Sequence, residues 1–161
     1  MPRFTLNTVF LLCCVFYCSS LLAIDMRFSG TLNAPPPCLI NNGDVVDVDF
    51  GNDIGVNTVD GKNYLQPINY KITCESGLVN SNVTLTFNAI ATTFDHAAVQ
   101  TSLEGLGIRI LIDGTPIEFD KAMVIDPTNP PVLQAVPVND PEIVLHEGEF
   151  NASAMLSAEY Q

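Results

Sequence analysis

The chain has 161 residues, of which 47% are hydrophobic, so it can fill one core but has little room for a second domain. Its 18 acidic and 6 basic residues give a formal net charge of -12, which disfavours binding to nucleic acid and to anionic lipid surfaces. Tryptophan is absent, and the 11 prolines and 10 glycines favour short strands and turns over long helices.

Residues 1–23 have the layout of a secretory signal peptide. Arg3 precedes an apolar run (9–17), and small residues follow it at Ser19, Ser20 and Ala23. The apolar run is too short to span a bilayer comfortably. We therefore predict cleavage after Ala23 and export of the remaining chain without stable insertion into a membrane. Lipid modification of Cys18 is a disfavoured alternative, because two bulky aromatic residues precede that cysteine.

Removal of the signal peptide would leave two of the five cysteines, Cys38 and Cys74, in an oxidising compartment. We therefore predict a disulfide between them, and closing a loop of this length contributes about 3 to 4 kcal/mol on the chain-entropy model. Two cysteines at this spacing are too few for a zinc site, and His96 and His146 have no ligand pattern around them. We expect no metal and no cofactor.

The first predicted element follows the cleavage site. In "IDMRFSGTL" the apolar residues and glycine occupy every second position, namely Ile24, Met26, Phe28, Gly30 and Leu32. This alternation predicts a strand with one apolar face. The next segment, "NAPPP", contains three prolines that remove backbone donors and stiffen an extended linker. We predict that residues 24–37 are an extension with its linker, and that residues 38–161 form one domain.

Seven further segments are predicted as strands, because they alternate in polarity or are rich in β-branched residues. In chain order they span residues 44–50, 68–74, 83–89, 108–112, 116–119, 131–138 and 142–145. Clusters of Gly, Pro, Asn and Asp separate them, and Asp113 with Gly114 predicts a tight hairpin. Only residues 94–106 could hold a helical turn. Short strands at this spacing predict an antiparallel sandwich of immunoglobulin type.

The last predicted element is a strand at the C-terminus, in "GEFNASAMLSAEYQ". Apolar residues occupy every second position there, namely Phe150, Ala152, Ala154, Leu156, Ala158 and Tyr160. Such a strand needs neighbours on both edges, and in most β proteins it pairs within its own domain. The proline-spaced strand at the other end of the chain favours an alternative, in which the domain lacks a strand and takes one from another chain.

Several features occur together in the exported chain: "PPPCLINNGDVVDVDFGN" (35–52), the cysteine of "YKITC", Gly148 at the fourteenth position from the end, and the penultimate Tyr160. In this combination the chain resembles pilins of the chaperone–usher pathway, especially minor tip or adaptor subunits. The resemblance implies an immunoglobulin-like sandwich without its last strand. It also implies that residues 24–33 are a donor strand, with Gly30 matching the glycine usual in the extension, and that residues 148–160 border the acceptor groove.

The same resemblance implies partners and a location. A periplasmic chaperone would lend a strand beside the C-terminal strand, and the next subunit's extension would replace it at the outer-membrane usher. Neighbouring pilins would then be joined head to tail in a fimbrium on the surface of a Gram-negative bacterium, where the fibre supports adhesion. No nucleic-acid partner is expected.

The two other classes of function to compare are an enzyme and an adhesin. An enzyme would need a nucleophile with a base, a paired acid and base, or a metal, and the sequence contains no recognisable pattern for any of them. A two-domain adhesin is disfavoured, because 161 minus 23 signal residues leaves only 138. A secreted single-domain sugar-binding module, that is, a lectin-like adhesin, stays open as the alternative.

Two local patterns have simpler explanations. Four aspartates could suggest a calcium site, and they are Asp44, Asp47, Asp49 and Asp53. They lack the downstream glutamate of a calcium loop and alternate like the outer face of a strand, so we interpret them as solvated carboxylates. Asn82 in "NVT" and Asn151 in "NAS" match the glycosylation pattern, but the implied bacterial source makes both chance matches.

Overall fold

The computed structural model of the chain describes residues 26–32, 38–74 and 82–160. The chain divides into two compact units, Met1–Asn33 and Ala34–Gln161. The predicted signal peptide, Ile24 and the linker (33–37) lie outside the described residues, and the predicted domain boundaries stay a prediction. In the first unit, residues 26–32 belong to no strand. The predicted strand is wrong for these residues, because an extended segment becomes a strand only when a partner forms a ladder with it.

The described part of the second unit consists of ten short strands and two 3₁₀ turns. The strands are β1 (Leu39–Ile40), β2 (Gln66–Ile68), β3 (Ile72–Thr73), β4 (Val83–Asn88), β5 (Ala98–Gln100), β6 (Leu106–Ile112), β7 (Thr115–Pro116), β8 (Met123–Ile125), β9 (Leu133–Asn139) and β10 (Met155–Tyr160). The turns are Asn41–Gly43 and Val56–Thr58. Among the residues that the structure describes, no helix has both the length and the apolar character needed to cross a membrane.

The strands pair only in the antiparallel sense and form three sheets. The largest sheet has the order β2-β9-β6-β5, with β7 also paired to β6. The second has the order β10-β4-β8, and the third consists of β1 and β3. The predicted all-β antiparallel class is therefore confirmed.

The core lies between the two larger sheets. In β4, Val83, Leu85 and Phe87 alternate with threonines and are buried, as their period of two requires. They pack in two clusters, one around Leu133 of β9 and one around Ile108 of β6. Three side chains contact both clusters and join them, namely Ile68, Ile112 and Leu156.

The disulfide between Cys38 and Cys74 is formed, with the two Cα atoms 4.2 Å apart, which confirms the predicted pair. It joins the residue before β1 to the residue after β3, at the end of the two-stranded sheet where Leu39 pairs with Thr73. Cys38 is buried in the first core cluster. The covalent link therefore holds β1 against the core in a sheet that has only two strands.

The predicted hairpin at Asp113 and Gly114 is also confirmed. Ile112 of β6 pairs with Thr115 of β7, which leaves a two-residue loop. Both loop residues have positive φ, 49° at Asp113 and 78° at Gly114, as a type I′ turn requires. The Asp113 carboxylate also accepts a hydrogen bond from the backbone N–H of Val132 at 3.0 Å. This aspartate thus fits the turn and ties it to the residue before β9.

Several predicted elements are wrong. Residues 142–145 form no strand: the chain turns at residues 141–143, where the Asp140 carboxylate accepts a hydrogen bond from the backbone N–H of Glu142 and so competes with a strand ladder. Residues 94–106 contain β5 where a helical turn was predicted. Residues 44–50 belong to no ladder within the described part of the chain. The strand predicted over 68–74 is divided between β2 and β3, and only Pro116 of the strand predicted over 116–119 is paired, in β7.

Candidate functional site

Strand β10 has one open edge. On one side it pairs with β4 along all six residues, from Met155 opposite Asn88 to Tyr160 opposite Val83. On the other side, no ladder partner exists among the described residues. Its inward side chains are Leu156, Ala158 and Tyr160, which pack on the core, while Met155 and Glu159 are exposed. One face of β10 therefore packs on the core of this domain, and one backbone edge has no ladder partner among the described residues.

A second stretch of chain, residues 39–50, approaches β10 and the segment before it at two places. At one end β1 lies beside β10. At the other end the rings of Phe50 and Phe150 are 6.1 Å apart between centroids and tilted by 46°. No strand ladder joins the two stretches within the described residues. We call the strip between residues 39–50 and 150–160 the β10 groove.

Half-buried apolar side chains line the β10 groove. Val48, Phe50 and Phe150 pack against the second core cluster but keep part of their surface exposed. Ile40 and Tyr160 do the same against the first cluster. Along 45–50 the exposure alternates residue by residue, as it does along a strand with one covered face. Two extended segments thus border a strip of apolar side chains. These side chains pack on the core on one side and stay partly exposed on the other.

The structure places the predicted C-terminal residues in two groups. Leu156, Ala158 and Tyr160 face the core and Phe150 packs on Phe50, whereas Ala152, Ala154 and Gly148 are exposed. The strand begins only at Met155, five residues after the predicted start. The reason is a pair of long-range hydrogen bonds. The Asn151 carbonyl accepts a hydrogen bond from the backbone N–H of Ser102 at 2.9 Å, and the Asn151 N–H donates one to the Ser102 hydroxyl at 3.0 Å, which directs this segment away from a ladder.

The predicted donor residues are apolar and exposed. Met26 is 72% exposed, Phe28 86% and Leu32 fully exposed, and no atom lies within 4 Å of the position that a Cβ would take on Gly30. Ile24 lies outside the described residues. Large apolar side chains in alternation gain stability when they are buried, and these three are not buried within the chain. Their role as a donor strand stays a prediction.

Sequence reasoning missed the second wall of the groove. It predicted a strand over 44–50 but gave Val48 and Phe50 no role in the site. The chain reaches this position because Asn41 ends β1: its backbone N–H donates to the Lys71 carbonyl, and its side-chain oxygen accepts from the Lys71 N–H at 2.7 Å. Asn41 and Asn42 both have positive φ. The "NNG" turn was the available signal that the strand would leave its partner there.

Other candidate sites offer less chemistry. An open cleft of about 690 Å³ is lined mainly by alanines and by residues of the 94–97 and 116–120 loops. Asp95 at its rim is already paired with Arg109 at 2.7 Å, and His96 is exposed there. Within the described ranges, no group of three or more His, Cys, Asp or Glu residues could hold a metal ion. The β10 groove is the feature that the fold leaves incomplete.

Comparison with known proteins identifies the family. The model of the fimbrial protein family matches residues 26–161. The chain is 34% identical over 142 residues to the uncharacterized fimbrial-like protein YfcQ of Escherichia coli K12. The alignment covers 85% of this chain and 87% of that protein. It is 32% identical over 166 residues to the fimbrial-like protein YfcR of the same organism, over 99% of this chain and 95% of that protein.

A solved structure establishes the fold independently. The P pilus adaptor subunit PapF superimposes with a TM-score of 0.60 at 23% identity, over 79% of this chain and 98% of that subunit. The architecture is thus the immunoglobulin-like sandwich of pilus subunits, as the sequence predicted. With the family model and the E. coli relatives covering most of its length, the chain belongs to the fimbrial protein family.

Proposed function

We propose that this chain is a structural, non-catalytic subunit of a fimbria and that its β10 groove accepts an extended segment of another chain. One observation carries the proposal: the unpaired edge of β10 faces residues 39–50 across a row of half-buried apolar side chains. Addition of a strand to an open sheet edge supplies main-chain hydrogen bonds, and pockets for alternate side chains supply specificity.

The geometry favours strand addition over other modes of binding. A strand in the groove can pair with β10 on one edge and with residues 44–50 on the other. It would thereby add residues 44–50 to the β10-β4-β8 sheet. Burial of four or five apolar side chains contributes roughly 1.5 to 3 kcal/mol each, or about 6 to 15 kcal/mol together. This is comparable to the whole net stability of a typical domain, so the added strand is a major part of the folded structure.

Residues 24–33 have the properties of such a donor strand. Their apolar side chains alternate, and those within the described range are exposed. At about 3.3 Å per residue, the ten residues extend over roughly 33 Å, which is close to the reach of the eleven residues of the wall at 150–160. Because donor and groove lie on one chain but serve different neighbours, the contact repeats head to tail and produces an open fibre.

The same proposal includes the assembly route and the place of the subunit in the fibre. A periplasmic chaperone would fill the groove before assembly, and an outer-membrane usher would exchange its strand for the next subunit's extension at the surface of a Gram-negative cell. We assign the chain a minor role, linking or capping the tip of an adhesive fimbria. The family match and the resemblance of the termini to minor pilins support this assignment.

A fused donor strand tests the proposal. Residues 24–33 are deleted from the N-terminus and attached after Gln161 through a short flexible linker, so that the strand returns antiparallel to β10 at a high effective concentration. We expect the melting temperature to rise by at least ~10 °C over the same chain without the fused strand, since several kcal/mol are gained. A matched control carries Met26→Asp and Phe28→Asp in the fused strand and should show no gain.

The opposite outcome is equally clear. If the chain without residues 24–33 is already a stable monomer without a chaperone, and the fused strand leaves its melting temperature unchanged, the sandwich is complete. The strand-acceptor function would then be rejected.

A further inference from the structure

Exposed carboxylates lie on the two walls of the β10 groove and in the three residues before the second wall. Three lie in residues 44–50 and three in residues 147–160, namely Asp44, Asp47, Asp49, Glu147, Glu149 and Glu159. All six are exposed, and neither stretch contains a lysine or an arginine. The ion pairs found in the described part of the chain, Arg109 with Asp95 and Lys121 with Glu118, involve none of them. We call these six residues the acidic rim.

Four residues of the acidic rim lie near the contact between the two walls. Asp49 and Glu149 directly precede Phe50 and Phe150, whose rings are 6.1 Å apart, so each wall has a carboxylate one residue before this contact. Asp47 and Glu147 lie two residues before them on each wall. One oxygen of Asp49 accepts a hydrogen bond from the backbone N–H of Gly51 at 2.8 Å. The charges of this cluster have no cationic partner among the described residues.

A strand seated in the groove would place its outward side chains between these carboxylates. Along the first wall, Val46, Val48 and Phe50 are half-buried while Asp47 is exposed, so the charges lie on the solvent side and the apolar residues on the groove side. Side chains directly opposite each other on adjacent strands are about 4.5 to 5.5 Å apart at Cβ, and opposite charges there are favourable while like charges are not.

We propose that the β10 groove selects a donor strand whose solvent-facing positions carry lysine or arginine. The inference rests on the proposed strand-acceptor function and names the partner of that site. The chain's own extension has Asp25, Arg27, Ser29 and Thr31 at its polar positions, a net charge of zero. A second copy of this chain is therefore a poorer donor than a different subunit with a basic strand, and the acidic rim directs the chain into mixed fibres.

Synthetic peptides of residues 24–37 test this selection on the full exported chain. A basic peptide carries Ser29→Lys and Thr31→Lys, and an acidic peptide carries Ser29→Glu and Thr31→Glu, while the apolar face stays unchanged. Each opposite-charge pair across strands is worth about 1.4- to 5-fold in affinity. We expect the basic peptide to bind at least ~5-fold more tightly than the acidic one in about 20 mM salt and within ~2-fold of it in about 500 mM salt, where exposed charges are screened.

Two sets of variants distinguish the effect of the acidic rim on peptide affinity from the effect of the chain's net charge. Asp47→Asn, Asp49→Asn and Glu149→Gln together should remove most of the preference for the basic peptide. The matched control removes the same number of charges elsewhere, through Asp60→Asn, Glu118→Gln and Asp126→Asn, and should keep the preference. Equal affinity of the basic and acidic peptides, or an equal loss in both sets of variants, would overturn the inference while strand binding itself stands.

Failure of the proposed function has a different signature. A peptide with Met26→Asp and Phe28→Asp has a disrupted apolar face, and it should not bind. If it binds as well as the native peptide, or if no peptide binds, the groove does not accept a strand. In that case the acidic rim has no donor to select, and both proposals are rejected together.

Discussion

Tyr70 is a polar side chain at the edge of the core. Its hydroxyl donates a hydrogen bond to the backbone carbonyl of Pro131 at 2.7 Å, and its ring packs against the cluster around Leu133. Burial, with a smaller contribution from the charge of Asp113, raises the pKa of Tyr70 to about 12. The phenol therefore stays protonated and keeps its donor role well above the pH at which an exposed tyrosine ionises.

The raised pKa of Tyr70 predicts a specific alkaline effect. Because the pKa in the folded chain lies above the ordinary value of 10.0, the contribution of Tyr70 to stability is complete below pH 10.0 and is lost as pH rises towards about 12. Tyr70→Phe should lower the free energy of unfolding by about 1 kcal/mol at neutral pH, through loss of the hydrogen bond. In urea unfolding, the difference between the two proteins should stay constant up to about pH 10 and shrink between about pH 10 and about pH 12. A difference that does not change with pH would contradict this account.

At the scale of a strand, β10 offers a test of its two faces. Leu156 contacts both core clusters, whereas its neighbour Met155 is 67% exposed. Leu156→Asp should destabilise the domain by about 3 kcal/mol or more, because it removes apolar burial and places an unpaired charge at the core. Met155→Asp is the matched control and should change stability by less than about 0.5 kcal/mol. Periplasmic accumulation and chaperone co-purification should fall for Leu156→Asp alone.

A similar loss for both variants would contradict the assignment of faces in β10. The comparison is sharp because the two residues are adjacent and receive the same charge. Only the direction of the side chain relative to the core differs between them.

The local sequence pattern correctly predicted strands that pair with other strands of the same domain. The alternation in 83–89 and the apolar run in 108–112 gave β4 and β6 to within two residues at each end. The Asp113–Gly114 pair gave the hairpin because its positive φ values are a local requirement. The residues at 44–50 alternate just as well, yet form no ladder with any described residue, because a ladder depends on a partner that the sequence of one segment does not specify.

For the same reason, the sequence predicted only one wall of the candidate site. Apolar alternation identified Leu156, Ala158 and Tyr160 as an inward face, and their burial follows the predicted period. The start of β10 was placed too early, since the hydrogen bonds between Asn151 and Ser102 join residues 49 positions apart. The opposite wall depends on the turn at Asn41 and on the approach of Phe50 to Phe150, which are also long-range features.

At the scale of the whole domain, the disulfide links the two strands of the two-stranded sheet at one end, and its Cys38 is buried in the first core cluster. Replacing Cys38 and Cys74 together with serine should cost about 3 to 4 kcal/mol of unfolding free energy on the chain-entropy model. It should also weaken strand binding, because β1 forms one wall of the groove. Denaturant unfolding with and without a reducing agent measures the effect, since reduction should destabilise the native chain and leave the double-serine variant unchanged. Equal sensitivity of both proteins to reduction would refute this role.

The pairing of β10 with β4 along six residues has a mechanical consequence. In a fibre joined through the β10 groove, tension pulls a seated strand along its own length, so its hydrogen bonds and those beside it are loaded together and in shear. Rupture then requires many hydrogen bonds to break at once. The lifetime of the junction under force therefore depends on its unfolding rate more than on its equilibrium affinity. A junction with no covalent bond between subunits can in this way resist the drag of flowing liquid.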